Sequence, residues 1–428
     1  MEERVAALWR IEGPRLIGAL ARKLRDFGEA EDLAQDALEQ ALRTWPAQGV
    51  PANPAAWLMA VAQRRAIDAL RARKLHAEKQ EEFARELETL GLDHVPPPQS
   101  REQIEDDQLR LIFTACHPLL APEARAALAL KVLAGLTNAE IARAFLAQET
   151  AIAQRIVRAK RLLAEACVPF EQPQGDERRA RLASVLEVIY LIFNEGHAAT
   201  SGPAWMRPAL AQEALRLARQ LVGLMPAEDE VLGLAALLEL SSARLPARLD
   251  AQGRPVLLMQ QDRRRWDRGA IYRGLELLER VHRPGPYSLQ ARIAAVHARA
   301  LRAEDTDWSA IVLLYDGLAQ LAPSPVLALN QAVAIGMASG EGYGPAAALA
   351  LIDELAHEKL LVGYPWLHSA RGEMLERLGR VAEAREAFAR ARDLSRNDAE
   401  RQLLDERVSS LASEVSANIV CISAKKRS

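Results

Sequence analysis

The sequence predicts an all-α protein: two small helical modules, the second a helix-turn-helix, followed by a large domain of helical repeats. Three observations lead there. Apolar residues recur at helical spacing almost throughout, with Ala, Leu, Arg and Glu dominant and few β-branched runs. A stretch near residue 150 sets an apolar stripe against a basic face. Beyond it, short apolar segments are punctuated by Pro286, Pro323, Pro325 and Pro365. At 428 residues the chain exceeds what one core sustains, so two or three domains are expected.

A formal net charge of −2 gives no global attraction to nucleic acid, so any such binding must come from local basic clusters. Cys116, Cys167 and Cys421 are scattered without metal-ligand spacing, which suits a reducing cytoplasm. Cys116-His117 has no second ligand pair, so neither a metal nor a cofactor is expected. There is no signal peptide, and no apolar run reaches the about 18 residues of a membrane helix; a cytoplasmic protein without membrane contact is expected.

Residues 2–27 read as a helix or helix pair, with Val5, Leu8, Trp9, Leu16, Ile17, Leu20 and Leu24 apolar and Gly28 as a stop. In the next helix Leu33, Ala37, Leu38, Ala41 and Leu42 form a stripe, leaving Glu31, Asp32, Gln35, Asp36 and Glu39 outside. That acidic face is either simply solvated or a docking surface for a basic partner helix. Asn53-Pro54 opens a third helix, whose far half carries Arg64, Arg65, Arg71, Arg73 and Lys74 against Asp68. With Trp57 near its start it could hold single-stranded nucleic acid, phosphates on arginine and a base on the ring; Trp57 equally fits a core position. From Lys79 to Asp107 the apolar pattern thins around Pro96-Pro97-Pro98, an acidic linker.

Gln108 to Leu120 supplies the first helix of the second module. Pro122 opens the next helix and Gly135 closes it. Thr137-Asn138-Ala139-Glu140 fits a capping box, with Ile141, Ala142 and Phe145 facing inward. After a break at Leu146–Glu149, a helix starts near Thr150 with Ile152, Ile156, Ala159 and Leu163 as its stripe. Gln154, Arg155, Arg158 and Arg161 lie away from that stripe, with Lys160 at its edge. An ordinary amphipathic helix would look similar, but the capping box and turn at this offset favour a helix-turn-helix whose second helix enters the major groove.

Residues 169–180 read as a short linker. Asn194-Glu195-Gly196-His197 ends a helix, and residues 246–258 hold a β-hairpin with Asp250–Gly253 as its turn. Trp366 to Leu394, with Gly379 at the bend and Ala384, Phe388 and Ala391 packing, matches a tetratricopeptide unit; Trp308–Leu321 and Val326–Met337 are looser versions. The tail from Ala412 is expected to be loosely ordered.

Taken together, these motifs resemble a bacterial sigma-70 factor of the extracytoplasmic-function group. Glu31-Asp32-Leu33-Ala34-Gln35-Asp36 resembles the helix that docks on the polymerase β′ coiled coil, and Asn53–Leu58 with Ala66–Arg71 the segment capturing the melted downstream promoter element. Thr137–Glu165 resembles the reader of the upstream element. Tyr190–Gly196, Asp106–Thr114 and Ala153–Lys160 are similar to the subgroup with a tetratricopeptide-like C-terminal extension, though Ala115 stands where a second cysteine would be expected.

The resemblance implies region 2 over 1–78, a linker over 79–107, region 4 over 108–168 and a linker over 169–180. A helical extension over 181–285, repeats over 286–411 and a tail over 412–428 follow. It implies a non-enzymatic partner of RNA polymerase core (β′ and β subunits) and of promoter DNA, with a C-terminal domain that regulates it and repeats that bind a protein partner. Polymerase binding falls to Glu31, Asp32, Gln35, Asp36 and Glu39. DNA binding falls to Thr150, Gln154, Arg155, Arg158, Lys160 and Arg161, and to Asn53, Trp57, Arg64, Arg65 and Arg71. Two alternatives remain: a helix-turn-helix regulator that works without polymerase and uses the repeats as a sensor, and an enzyme drawing on Asn194, Glu195, His197, Asp262 and Asp267.

Overall fold

The computed structural model describes residues 2–24, 26–75, 101–145 and 147–425. They form 18 α-helices and no β-strand. The chain divides into two compact units, Met1–Ile192 and Phe193–Ser428.

In the first unit, α1 (Glu2–Leu24) and α2 (Phe27–Gln48) are separated by a cap rather than a glycine. Asp26 Oδ1 accepts from the Glu29 N–H at 2.9 Å, satisfying a donor that the first turn leaves without a partner. Gly28 therefore lies inside the first turn of α2 and does not stop a helix as expected. Asn53 likewise caps α3 (Pro54–Leu75), its Oδ1 accepting from the Ala56 N–H at 3.0 Å.

The second module begins earlier than anticipated. Helix α4 (Arg101–Ala115) includes residues 101–107, assigned above to the linker, while Pro96–Pro98 lies outside the described residues. Asp107 is buried, held by Arg22 of α1 at 3.1 Å and Arg110 at 2.8 Å, so its charge is paired. The backbone of α4 runs close over Gly18, where a Cβ would stand 3.1 Å from the Asp107 carbonyl oxygen. Helices α5 (Pro122–Val132), α6 (Asn138–Phe145) and α7 (Glu149–Glu165) complete the module. Gly135, at φ +67, turns the chain after α5, and a Cβ there would meet Trp9 and Arg10 of α1 at 3.2–3.3 Å.

Helix α8 (Gly175–His197) also starts inside the expected second linker. Its first half joins the N-terminal unit: buried Arg125 of α5 bonds Ser184 and pairs with Glu187 at 3.0 Å. Ser184 donates to the Cys116 carbonyl at 2.6 Å.

The second unit packs successive helices against one another: α9 (Pro208–Leu224), α10 (Asp229–Ser242), α11 (Arg268–Glu279), α12 (Pro286–Arg299), α13 (Trp308–Leu321), α14 (Pro325–Met337), α15 (Pro345–Leu355), α16 (Pro365–Arg377), α17 (Val381–Leu394) and α18 (Asp398–Lys425). Proline opens α9, α12, α14, α15 and α16, where its missing N–H costs nothing. The Trp366–Leu394 segment is the α16–α17 pair, turned by Gly379 at φ +74 and packed through Met374, Leu375, Ala384 and Phe388.

The expected hairpin forms only its turn. The Asp250 N–H donates to the Arg254 carbonyl at 3.0 Å and the Val256 N–H to that of Arg248 at 2.9 Å, but a single bridge, Leu249 to Pro255, is all that pairs. Pro255 has no N–H to extend a ladder, and 3-10 turns at Leu245–Ala247 and Leu258–Gln260 bend both arms away. Past Ala412, where the tail was expected to begin, α18 continues to Lys425, a stretch without proline or glycine.

Buried Asn397 fastens this unit's two ends. Its Nδ2 donates to the carbonyls of Ala199 (3.1 Å) and Ala204 (2.8 Å), and its Oδ1 accepts from the Glu400 N–H at 3.0 Å. Asn397→Ala would leave the Ala199 and Ala204 carbonyls and a helix-start donor without this partner, and should cost about 2 kcal/mol. Urea unfolding monitored by circular dichroism reads this as a lower midpoint with unchanged native helicity.

Candidate nucleic-acid interface

Helix α7 is amphipathic because Ile152, Ile156, Ala159 and Leu163 recur every three or four residues, and all four are buried against α5 and α6. The capping box sets where α6 begins. The Thr137 N–H and hydroxyl donate to Glu140 Oε2 at 2.8 and 2.9 Å, and the Glu140 N–H donates back to the Thr137 hydroxyl at 3.1 Å. Burial alone would raise the Glu140 carboxyl, but these Thr137 bonds outweigh it, helped by Arg10 and Arg143, and lower it below the usual carboxylate range.

With the stripe seated, Thr150, Gln154, Arg158 and Arg161 are exposed and Arg155 is half-buried. Arg161 pairs within its own helix, with Glu165 at 2.6 Å, and 76% of its side chain is exposed. Arg155 and Arg158 form no ion pair among the described residues. The reader face of α7 is thus open to a polyanion.

Lys160 is not part of that face. Its Nζ lies 2.8 Å from Glu31 and 2.5 Å from Asp32 of α2, with only 13% of its side chain exposed. Burial opposes the ammonium charge, yet Glu31 and Asp32 more than compensate and the pKa is raised. Glu31, expected on the outer face, is 4% exposed. It follows Phe27 by four residues and precedes Ala34 by three, so it falls on the buried stripe that runs from Phe27 through Ala30, Ala34, Ala37 and Ala41 to Trp45. Leu42 departs in the opposite sense: 40% exposed, it borders with Leu38, Gln35 and Trp9 a cavity of about 330 Å³ against Leu136 and Thr137.

Of the remaining acidic positions, Asp36 pairs with Arg65 of α3 at 2.8 Å, and Arg65 also reaches Gln40 at 3.3 Å. Glu39 pairs with Arg43 at 3.4 Å in solvent, and Gln35 is half-buried. On α3, Arg64 is exposed, and Arg71 lies where only the backbone is described. Trp57 is half-buried, its ring edge-on to buried Trp45 with centroids 5.3 Å apart. It therefore packs on its neighbour without being fully buried.

Family comparisons align with these modules. Residues 8–76 match the family model for sigma-70 region 2, and residues 110–163 that for sigma-70 region 4. The chain belongs to the sigma-70 family, in its extracytoplasmic-function group. It is an RNA polymerase sigma factor, and one with an additional C-terminal domain: residues 181–282 match a family of unknown function, DUF6596. An uncharacterised protein of Rhizobium meliloti (strain 1021) is 44% identical over 405 residues, covering 94% of both chains. The ECF RNA polymerase sigma factor SigK of Mycobacterium ulcerans (strain Agy99) is 30% identical over 128 residues, 30% of this chain and 66% of that one. Its namesake from Mycobacterium sp. (strain KMS) is 28% identical over 152 residues, 35% and 76% respectively.

The residues weighed for an enzyme make contacts within the fold. Glu195 binds Arg207 and accepts from the Thr200 hydroxyl, Asp262 caps a 3-10 turn, and Asp267 caps α11. The Asn194 carbonyl accepts from the Ala198 N–H, and His197 lies against Arg248. No helix among the described residues is long and apolar enough to cross a membrane.

Cys116 is buried, and burial pushes its thiol up to about 12 despite nearby Arg125. Its thiolate is negligible at neutral pH, whereas Cys167 is exposed. Iodoacetamide on the folded chain, followed by peptide mass spectrometry, should alkylate Cys167 and spare Cys116 until denaturant is added.

Proposed function

We propose that this sigma factor reads the upstream promoter element with α7, Arg158, Arg155 and Gln154 meeting base edges and phosphates while Thr150 and Arg161 flank them. What carries this reading is the basic face of α7, whose Arg155 and Arg158 form no ion pair among the described residues, opposite a seated apolar stripe. Lys160 is left out, being committed to Glu31 and Asp32. On α3, Trp57 and Arg64 would hold the melted downstream strand, with Arg65 and Arg71 contributing once free and Asn53 setting the start of the helix. Asp32, Gln35, Asp36 and Glu39, with Glu31 behind them, would dock on the polymerase β′ coiled coil, and other surfaces of regions 2 and 4 on β.

The same contacts make the free chain closed. Lys160 of region 4 occupies two of the docking carboxylates of region 2, and Arg65 occupies a third. Core polymerase would have to displace Lys160 to engage them, releasing region 4 toward DNA. The C-terminal unit regulates this opening, and its repeats take a protein partner.

Arg158→Ala should lower promoter-specific transcription with core present by about tenfold or more, the loss of a contact worth about 1–3 kcal/mol. Run-off assays in which this variant keeps full activity would remove the residue from the reader face. Activity without added core would instead favour a stand-alone regulator. Lys160→Met should raise affinity for core severalfold in a fluorescence titration, and unchanged affinity would mean that closure does not compete with docking. A chain ending at residue 197 should transcribe at a rate different from the full chain; equal rates would refute regulation by the C-terminal unit.

A further inference from the structure

Where the two modules of the N-terminal unit meet, packing leaves a cavity of about 330 Å³. Both modules build its walls: Val5 and Trp9 of α1 and Leu38 and Leu42 of α2 on the region 2 side, Leu136 and Lys131 on the region 4 side. Val5, Trp9 and Leu136 are buried, Leu38 is half-buried, and Leu42 is 40% exposed. A largely apolar space of this size suits a small organic molecule.

Two polar groups in the lining have nothing to bind. Lys131 of α5 is half-buried and forms no ion pair or side-chain hydrogen bond among the described residues. Nor does the half-buried Gln35 carboxamide of α2 find a partner there. The carboxylates acting on Lys131 are committed elsewhere. Glu31 pairs with Lys160 at 2.8 Å, and Glu140 accepts from the Thr137 hydroxyl at 2.9 Å and pairs with Arg10 at 3.5 Å. Burial pulls the Lys131 amine below its usual range, and Lys160 adds to this against the opposing pull of Glu31 and Glu140. An ammonium short of both water and an acceptor gains from an anion placed against it. A single charge fits best, because Glu140 lines the same cavity, is held in its charged form, and repels a dianion.

We propose that this cavity binds a small apolar monocarboxylic acid, its carboxylate on Lys131 and Gln35 and its body against Val5, Trp9, Leu38 and Leu42, and that the bound acid holds the chain away from core polymerase. Resting on the closed arrangement proposed above, the effect is one of equilibrium. Lys131 and Leu136 stand opposite Gln35 and Leu38 only while region 4 lies on region 2. An acid touching both sides therefore binds the closed form more tightly and shifts the population toward it. It also covers Gln35, one of the residues given to polymerase docking.

The test uses the full chain with octanoate, uncharged octanol and doubly charged octyl phosphate as probes. Calorimetric titration reads binding, and the fluorescence titration reads affinity for core. Octanoate should bind saturably, at least tenfold more tightly than octanol or octyl phosphate. At saturation it should lower affinity for core about threefold or more. Lys131→Met should weaken octanoate at least tenfold and remove its effect on core. Leu42→Glu, at an exposed position, adds a carboxylate that repels octanoate or takes Lys131 for itself, and should weaken binding as much. Lys160→Met separates the acid site from the closure it depends on. A rise in core affinity in that variant, while the parent binds no octanoate, leaves closure standing and overturns the acid site. Octanoate bound equally by parent and Lys160→Met, with the same core affinity in both, overturns closure and acid control together. No saturable binding up to concentrations on the order of 10 mM overturns the proposal, as does equal binding of octanol or octyl phosphate. Undiminished binding by Lys131→Met and Leu42→Glu, or octanoate binding that leaves core affinity unchanged, does the same.

Discussion

Close approach of α1 to the second module governs the N-terminal unit. Gly18 admits the α4 backbone and Gly135 admits the Trp9 ring and the Arg10 backbone, so the two helical modules pack closely at those points. That proximity draws α7 over the flank of α2 and takes Glu31 out of water. A carboxylate so buried needs a partner, and Lys160 supplies one at 2.8 Å. The closed arrangement of regions 2 and 4 thus follows from backbone packing, with the ion pair as its electrostatic consequence.

The arginines divide by what their surroundings supply. On α7, Arg158 is exposed and Arg155 half-buried, and neither forms an ion pair among the described residues, which leaves their charge available to phosphate. Within the C-terminal unit, Glu239 is 1% exposed and meets Arg219 at 2.6 Å and Arg273 at 3.1 Å, so burial there is matched by countercharge. Arg263 of the same unit, 3% exposed, is held instead by neutral acceptors, the His297 and Ala300 carbonyls and the Thr306 hydroxyl. Both differ from the ordinary stabilising pairs, most of which lie at the surface and contribute about 0–1 kcal/mol each.

Capping explains why several sequence-level boundaries shifted. Asp26 starts α2 before Gly28 can interrupt it, and Asn53 serves the backbone of α3. A side chain already accepting from a helix start is poorly placed to meet DNA as well, and the part given to Asn53 is accordingly one of orientation.

Local pattern was enough to determine the helical class, the turn at Gly135, the capping box at Thr137 and the seated and open faces of α7, because each depends on residues within a turn or two of one another. The pairing of α16 with α17 was legible for the same reason, Gly379 marking the bend between two apolar stripes. Only the tertiary structure decided that Lys160 faces Glu31 across 129 positions of sequence, that Asp107 is buried on Arg22, and that Arg263 reaches the His297 and Ala300 carbonyls. A charged residue at the edge of a stripe looks the same in sequence whether solvent or another helix covers it. Burial and countercharge are properties of neighbours, and neighbours are assigned by packing.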